Sequence, residues 1–390
     1  MNPRSLTLKV GLILLLAGVE FSIIHPMKAG DVVPALKSTG DYYFYWKQKY
    51  LKPSVRFPGD FKVDYNGGKG VTISEAIGYG MLITALMADE DPEAKKKFDG
   101  LNRFRKRFPS SINPAFMCWK IPANERPLKD DCATDGELDI AYALLLAHKR
   151  WGGETYKTEA RSLIGAIGSS LVRPDFSLRL GDWNEARGQT RPSDVMPTHF
   201  RAFADATGDL LWKNVEDRSY QILNELQLDQ SQSGAATTTG LVPDFAIERK
   251  GRWVPARPGF LEGRHDGDYY YNACRVPWRI GWAALATNDV RPKKILGRFM
   301  QWALMNVKDP EQFRAGYRLD GQPLHNSEFD TACFITPTGV AAMALGITPW
   351  KEKVERYALG KREEYYEDSI NLLCLILMEG NPRRESPQTH

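Results

Sequence analysis

Carboxylates gather at two helix entrances in this 390-residue chain. From Asp131 to Trp151 the sequence reads Asp-Cys-Ala-Thr-Asp-Gly-Glu-Leu-Asp-Ile-Ala-Tyr-Ala-Leu-Leu-Leu-Ala-His-Lys-Arg-Trp. Asp131, Asp135, Glu137 and Asp139 crowd just before the apolar run. Ile140, Leu144, Ala147 and Trp151 then fall at helical spacing and line one face. Thr134 is expected as N-cap, with Glu137 three residues on completing a capping box. The second entrance is Ser74-Glu75-Ala76-Ile77-Gly78-Tyr79-Gly80-Met81. Two glycines so early in a helix cost about 1 kcal/mol each against alanine. That cost points to a close approach to the backbone. Carboxyls so placed can exchange protons with a substrate. Each also has a structural reading, because acids in a first turn answer the helix dipole.

Ser-Glu-x-x-Gly-Tyr-Gly-Met, followed by Ala-Thr-Asp-Gly-Glu-x-Asp-Ile-Ala, resembles glycoside hydrolase family 8. That family includes endoglucanases, lichenases, chitosanases and xylanases. The likeness continues through Gly181-Asp182-Trp183, Tyr271-Asn272-Ala273-Cys274-Arg275-Val276-Pro277-Trp278-Arg279 and Tyr365-Tyr366, and covers nearly everything beyond about residue 40. It implies an endo-acting, inverting hydrolase of β-1,4-linked glycans. Chitosan and β-glucan are the close substrate candidates, with xylan behind.

By resemblance Glu75 is the general acid, and Asp135 holds the sugar whose bond is cut. A first-turn carboxyl stays protonated only if desolvated or set against another carboxylate, a part expected of Asp135. The aspartate that serves many members as base is here Asn272, and an amide cannot accept a proton. A subgroup with Asn at this position takes a glutamate from the preceding inserted loop. Phe260-Leu261-Glu262-Gly263 resembles that loop, so Glu262 is the candidate base, with Asp266 and Asp268 next. Tyr79, Trp119, Trp183, Tyr365 and Tyr366 are candidate stacking faces for sugars. Asp182 is expected to bond sugar hydroxyls. Asn272 and Arg275 complete the substrate-binding set, Arg275 on the water-activating side. Asp139 is read as a structural partner for loop amides, Arg279 as half of a structural ion pair, and His199 and His265 as structural.

Twelve helices are expected to carry these groups, at 42–50, 74–89, 92–107, 135–151, 155–170, 194–206, 209–226, 273–287, 290–306, 329–345, 349–358 and 362–378. Short links pair them as antiparallel hairpins. Twelve helices with long loops between them fit an all-α (α/α)6 barrel, the fold the resemblance also implies. The long connections 108–134, 171–193, 227–272 and 307–328 are expected to build the cleft. A short hairpin is expected within 53–70. The Ser231–Thr239 tract is of low complexity, and the tail from Gly380 is polar.

Arg4 and Lys9 precede an apolar Val10–Val19 run, so residues 1–29 read as an export signal and 30–390 as one catalytic domain. An uncleaved anchor is the alternative. The expected location is therefore extracellular or periplasmic, without stable membrane association after cleavage. A net charge of +4 and no basic run interleaved with aromatics argue against nucleic acid. Five cysteines without a Cys-x-x-Cys pair allow two disulfides at most and offer no zinc site. No metal or cofactor is expected. The partner is a polysaccharide and the protein is expected to be a monomer. Two further readings stay open: a non-catalytic glycan-binding protein, which predicts loss of both carboxyls, and an envelope enzyme that trims a nascent exopolysaccharide.

Overall fold

The computed structural model describes residues 36–380 except 127–128, 184–187 and 229–238. The expected export signal and most of the Ser231–Thr239 tract lie outside the described residues. The chain alternates between outer and inner helices. The outer ones are α1 (Thr39–Tyr50), α3 (Ala94–Lys106), α5 (Glu154–Ser170), α7 (Leu211–Leu228), α9 (Val290–Trp302) and α11 (Thr348–Gly360). The inner ones are α2 (Ser74–Leu86), α4 (Thr134–Trp151), α6 (Pro197–Thr207), α8 (Val276–Ala286), α10 (Ala332–Leu345) and α12 (Tyr365–Met378). All twelve fall where the periodicity placed them. Each inner helix packs on the next, and α12 returns to α2, which closes the (α/α)6 ring.

Composition decides which ring a helix joins. α3 buries Phe98, Leu101 and Phe104 on one stripe and turns Lys95 and Lys96 outward. That amphipathic pattern suits an outer helix. α2 is apolar nearly all round, and every residue in it except Glu75 is buried. A helix apolar on all sides must be enclosed. α4 behaves likewise: Tyr142 and Ala143 are buried along with the predicted Ile140–Leu144–Ala147 face.

Glycines set the spacing of the first two inner helices. A Cβ at Gly136 would lie 2.6–2.7 Å from Ser74 atoms, one of them backbone. A Cβ at Gly78 would meet Asp139 Cβ at 2.8 Å and the Gly136 carbonyl at 3.2 Å. The close approach expected around Gly78 is thus the packing of α2 on α4. It sets the starts of the two helices side by side.

The capping box does not form. Ala133 is the N-cap of α4 and gives no side-chain bond. The Thr134 hydroxyl donates instead to the Arg179 carbonyl at 2.7 Å, and Glu137 accepts the Met117 amide at 2.9 Å. Neighbouring loops take both groups, because the helix entrance is buried beneath them.

The long connections hold short strands. β1 (Leu51–Pro53) and β2 (Phe61–Val63) form a hairpin that begins two residues before the expected 53–70 stretch. β3 (Thr72–Ile73) pairs with β4 (Lys120–Ile121) immediately before α2. β5 (Gln189–Thr190), β6 (Ala246–Arg249) and β7 (Arg252–Pro255) make an antiparallel sheet in that order. Trp183, Ile247 and Phe260 pack with Leu180, Phe245 and Ala256 into a small apolar cluster beside it. All five cysteines are buried free thiols. Among the described residues no helix is long and apolar enough to cross a membrane.

Gly136→Ala tests the packing of α2 on α4. The added methyl must push the two helix starts apart, at about 1–3 kcal/mol for overpacking. We expect a lower melting temperature by calorimetry. Unchanged stability would mean that the helices do not depend on this contact.

Candidate active site

Three inner-helix starts, those of α2, α4 and α8, and the turn before α6 meet at one guanidinium. Arg275 ends a 3-10 turn, Ala273–Arg275, that leads into α8. Its side chain is 1% exposed. Nη1 donates to Glu75 Oε2 and to Asp135 Oδ2, both at 2.9 Å. Nη2 donates to Ser193 Oγ at 2.9 Å and to Asn272 Oδ1 at 2.7 Å. A second arginine, Arg191, donates to the same Asp135 oxygen at 2.8 Å.

Glu75 and Asp135 share Arg275 yet settle into opposite protonation states. Burial pushes the Glu75 carboxyl up to about 7; Arg275 pulls it down, and the Asp135 charge pushes it up. Asp135 is buried too, but Arg191 and Arg275 outweigh that penalty and hold it well below the usual carboxylate range. Glu75 therefore takes up a proton near neutrality, and Asp135 keeps the charge. The like charge expected from Asp135 does act on Glu75, but burial is the larger cause. Glu75 is 13% exposed, the single opening of α2 to the cleft. Tyr365 donates to its other oxygen at 3.1 Å.

Glu262 lies on the loop between β7 and the 3-10 turn and is exposed. Asn272 Nδ2 donates to its Oε2 at 2.8 Å. The path Glu75–Arg275–Asn272–Glu262 thus joins the two carboxyls through two side chains. The reserve candidates are committed elsewhere. Asp266 accepts the amides of Leu261 at 2.7 Å, Glu262 at 3.2 Å and Gly263 at 2.9 Å, and so shapes the loop. Asp268 pairs with His265 Nδ1 at 2.8 Å.

Several expected roles change. Tyr79 is 0% exposed and forms barrel core beneath Glu75, so it offers no stacking face. Tyr365 is also buried and serves Glu75 through its hydroxyl. Asp182 spends both oxygens on loops: Oδ1 accepts the Cys132 amide at 2.8 Å, and Oδ2 accepts Ser110 Oγ at 2.6 Å and the Asn113 amide at 3.2 Å. Through these bonds it clamps the cleft wall. Asp139 holds no loop amides. It takes Arg279 in a bidentate pair at 2.6 and 2.5 Å and faces His199 Nε2 at 2.8 Å. Arg279 and His199 are structural, as expected.

Trp119, Trp183 and Tyr366 are half-buried and so are partly open to solvent. Trp119 is fixed beside Glu75, because its carbonyl accepts the Ser74 amide at 2.8 Å. Gly181 makes room for Trp183, since a Cβ there would lie 1.9 Å from the indole. The Tyr366 hydroxyl donates to the Tyr271 carbonyl. Ser193 and Asp244 belong to the site but escaped the sequence reading, as did the pairing of Arg191 with Asp135 and Asp194. They sit in irregular loops where no periodicity marks them. Asp194 is buried at 3.7 Å from Arg191 Nε, and burial pushes it up to about 7. Among the described residues no cluster of His, Cys, Asp and Glu has the arrangement to hold a metal ion.

Comparison with known proteins points to one family. The family model "Glycosyl hydrolases family 8" matches residues 35–380. A beta-glucanase of Niallia circulans is 41% identical over 347 residues, 86% of this chain and 82% of that protein. An endoglucanase of a Bacillus species is 37% identical over 361 residues, 87% of this chain and 75% of that protein. The apo structure of a beta-1,3-1,4-glucanase from Paenibacillus sp. X4 superposes with a TM-score of 0.82 at 40% identity, covering 90% of this chain and 96% of that one.

Asp135→Asn tests the electrostatic division. It removes a like charge from beside Glu75 and leaves Arg275 free to pair with Glu75 alone. Both changes favour the ionised form, so the Glu75 midpoint should move down from about 7 towards its ordinary 4.5. Carbon-13 NMR of the Glu75 carboxyl reads this directly. An upward or absent shift would refute the division.

Proposed function

The chain belongs to glycosyl hydrolase family 8 and is an endo-acting glycoside hydrolase; on that premise we propose that it cleaves mixed-linkage β-1,3-1,4-glucan with inversion, using Glu75 as acid and Glu262 as base. The observation that carries this reading is the shared environment of Glu75 and Asp135. It gives one protonatable carboxyl and one fixed anion at the same point of the cleft.

In this mechanism a sugar ring lies against Asp135, whose charge holds its hydroxyls. Glu262 removes a proton from water, and the water oxygen attacks the anomeric carbon. The glycosidic bond breaks with its electron pair on the leaving oxygen, which takes the proton from Glu75. Arg275 and Tyr365 then stabilise the Glu75 carboxylate by hydrogen bonds already in place. Trp119, Trp183 and Tyr366 offer faces for neighbouring sugars. Both carboxyls are present, so nothing favours the binding-only reading.

Two observations favour β-glucan over chitosan. The relatives above are named for β-glucan and glucan hydrolysis. The cleft centre also holds Arg191 and Arg275, with Arg264 exposed two residues after Glu262. The two buried arginines offset the carboxylates around them, so the cleft centre lacks the excess of acid that would draw a polycation and suits a neutral glucan. Export belongs to the same proposal: the signal-like residues 1–29 fit an enzyme whose polymer lies outside the cell.

A reducing-sugar assay on barley β-glucan, lichenan, carboxymethylcellulose, chitosan and xylan tests the substrate. The mixed-linkage glucans should be fastest, and chitosan in first place would overturn the assignment. Proton NMR should show the α-anomer as first product. Glu75→Gln should lower turnover by about 10²–10⁴-fold, the usual contribution of general acid catalysis. The wild-type kcat/KM should fall as pH rises through about 7, because the acid must hold its proton. A rate still rising at pH 9 would exclude Glu75 as that acid.

A further inference from the structure

Asp244 has no part in the chemistry described so far, yet it touches every element that carries Glu262. It is buried just before β6. Its Oδ1 accepts the amides of Tyr270 at 3.0 Å and Ala273 at 2.7 Å, one on each side of Asn272. Its Oδ2 lies 3.4 Å from Asn272 Nδ2. The backbone of the same segment grips the end of the Glu262 loop: the Asp244 amide donates to the Asp268 carbonyl at 2.8 Å, and the Phe245 amide to the Asp266 carbonyl at 2.9 Å. Asp266 in turn holds the amides of residues 261, 262 and 263.

Asn272 is the piece that needs such support. Its two amide atoms are not interchangeable. Oδ1 must face the Arg275 donor and Nδ2 the Glu262 acceptor. Turned over, the group would set oxygen against carboxylate and nitrogen against guanidinium. Glu262 is exposed on a loop and is a weak guarantor of that orientation. Asp244 is buried and offers an acceptor to the second Nδ2 hydrogen, whatever the state of the loop.

We propose that Asp244 is a positioning residue for water activation: it fixes the 270–273 turn and the Asn272 amide so that Nδ2 aims Glu262 at the reacting water. This rests on Glu262 being the base. Burial and the negative charge of Glu262 push the Asp244 carboxyl up to about 8, against the pull of the Ala273, Asn272 and Tyr270 amides. Both oxygens face donors only, so the carboxylate that accepts from the turn and from Asn272 is the form that positions, and its hold strengthens as pH rises through that value.

The test is a double-mutant cycle on mixed-linkage β-glucan. Asp244→Asn keeps the shape but puts a donor where acceptors are needed. It should lower kcat by about 10²-fold, the scale of a small misplacement of a catalytic group, with KM and melting temperature close to wild type. Glu262→Gln is measured in parallel with azide, which attacks the anomeric carbon without needing a base. In the Glu262→Gln background, adding Asp244→Asn should leave the azide-supported rate unchanged, because the group it positions is gone. An equal further loss in that background would overturn positioning through Glu262. So would full activity of Asp244→Asn alone. Full activity of Glu262→Gln would instead refute the base assignment beneath it. If Asp244→Asn does not fold, Asp244→Ser removes the carboxylate and leaves the Asn272 side-chain bond to Arg275 in place. It enters the same cycle, with multiplicative losses again the overturning result.

Discussion

A buried guanidinium cannot give up its charge, so everything around Arg275 is arranged to answer it. Leaving such a cation without partners costs several kcal/mol. Glu75, Asp135, Ser193 and Asn272 supply those partners from four different segments. The same bonds that make burial tolerable set the protonation pattern of the cleft. Asp135 receives two arginines and stays charged; Glu75 receives one and sits near its midpoint at neutral pH. Charge compensation in the barrel and preparation of the acid are one arrangement.

The helices bring these groups together by their ends. Glu75, Asp135, Arg275 and Tyr365 all lie in, or one residue before, the first turn of an inner helix, so α2, α4, α8 and α12 start at the same end of the barrel. Helix N-termini favour anions, which agrees with the ionised Asp135. Glu75 shows that desolvation can exceed this attraction. The contact between α2 and α4 keeps the two carboxyls on one guanidinium. Beneath them the Asp139–Arg279 pair and His199, stacked on Tyr142 at 4.1 Å, tie α4 to α8 and α6. In that second layer burial lowers His199 to about 4, so the ring stays neutral while Asp139 and Arg279 carry the charges.

Acid and candidate base have unlike mounts. Glu75 rides on a fully packed helix, whereas Glu262 rides on a loop. The loop gains rigidity from Asp266, which gathers three of its amides, and from Phe260, which packs on Phe245. Asn272 makes this arrangement possible. An aspartate there would put a third acid between Glu262 and Asp244, whereas an amide donates to Glu262 on one side and accepts from Arg275 on the other.

Periodicity alone was enough to locate all twelve helices, because inner helices such as α2, α8 and α10 are apolar nearly throughout and outer ones such as α3 and α9 are striped. The glycines at 78 and 80 announced a close contact, which Gly136 completes from the other helix, and the motif around Glu75, Asp135 and Arg275 announced a site. Other features were settled only by tertiary contacts. Thr134 and Glu137 have the spacing of a capping box, yet neighbouring loops took both groups. Tyr79 and Tyr365 carry the aromatic character of sugar platforms, but burial turned one into core and the other into a hydrogen-bond donor. Asp182 sits beside a tryptophan, as a sugar ligand would, and was taken by three loop donors. Asp244, and the pairing of Arg191 with Asp135, left no trace in any local pattern. Secondary structure follows from residues a few positions apart, which a sequence displays directly. Protonation and hydrogen-bond partnership depend on which distant groups share a desolvated volume, and only the closed barrel decides that.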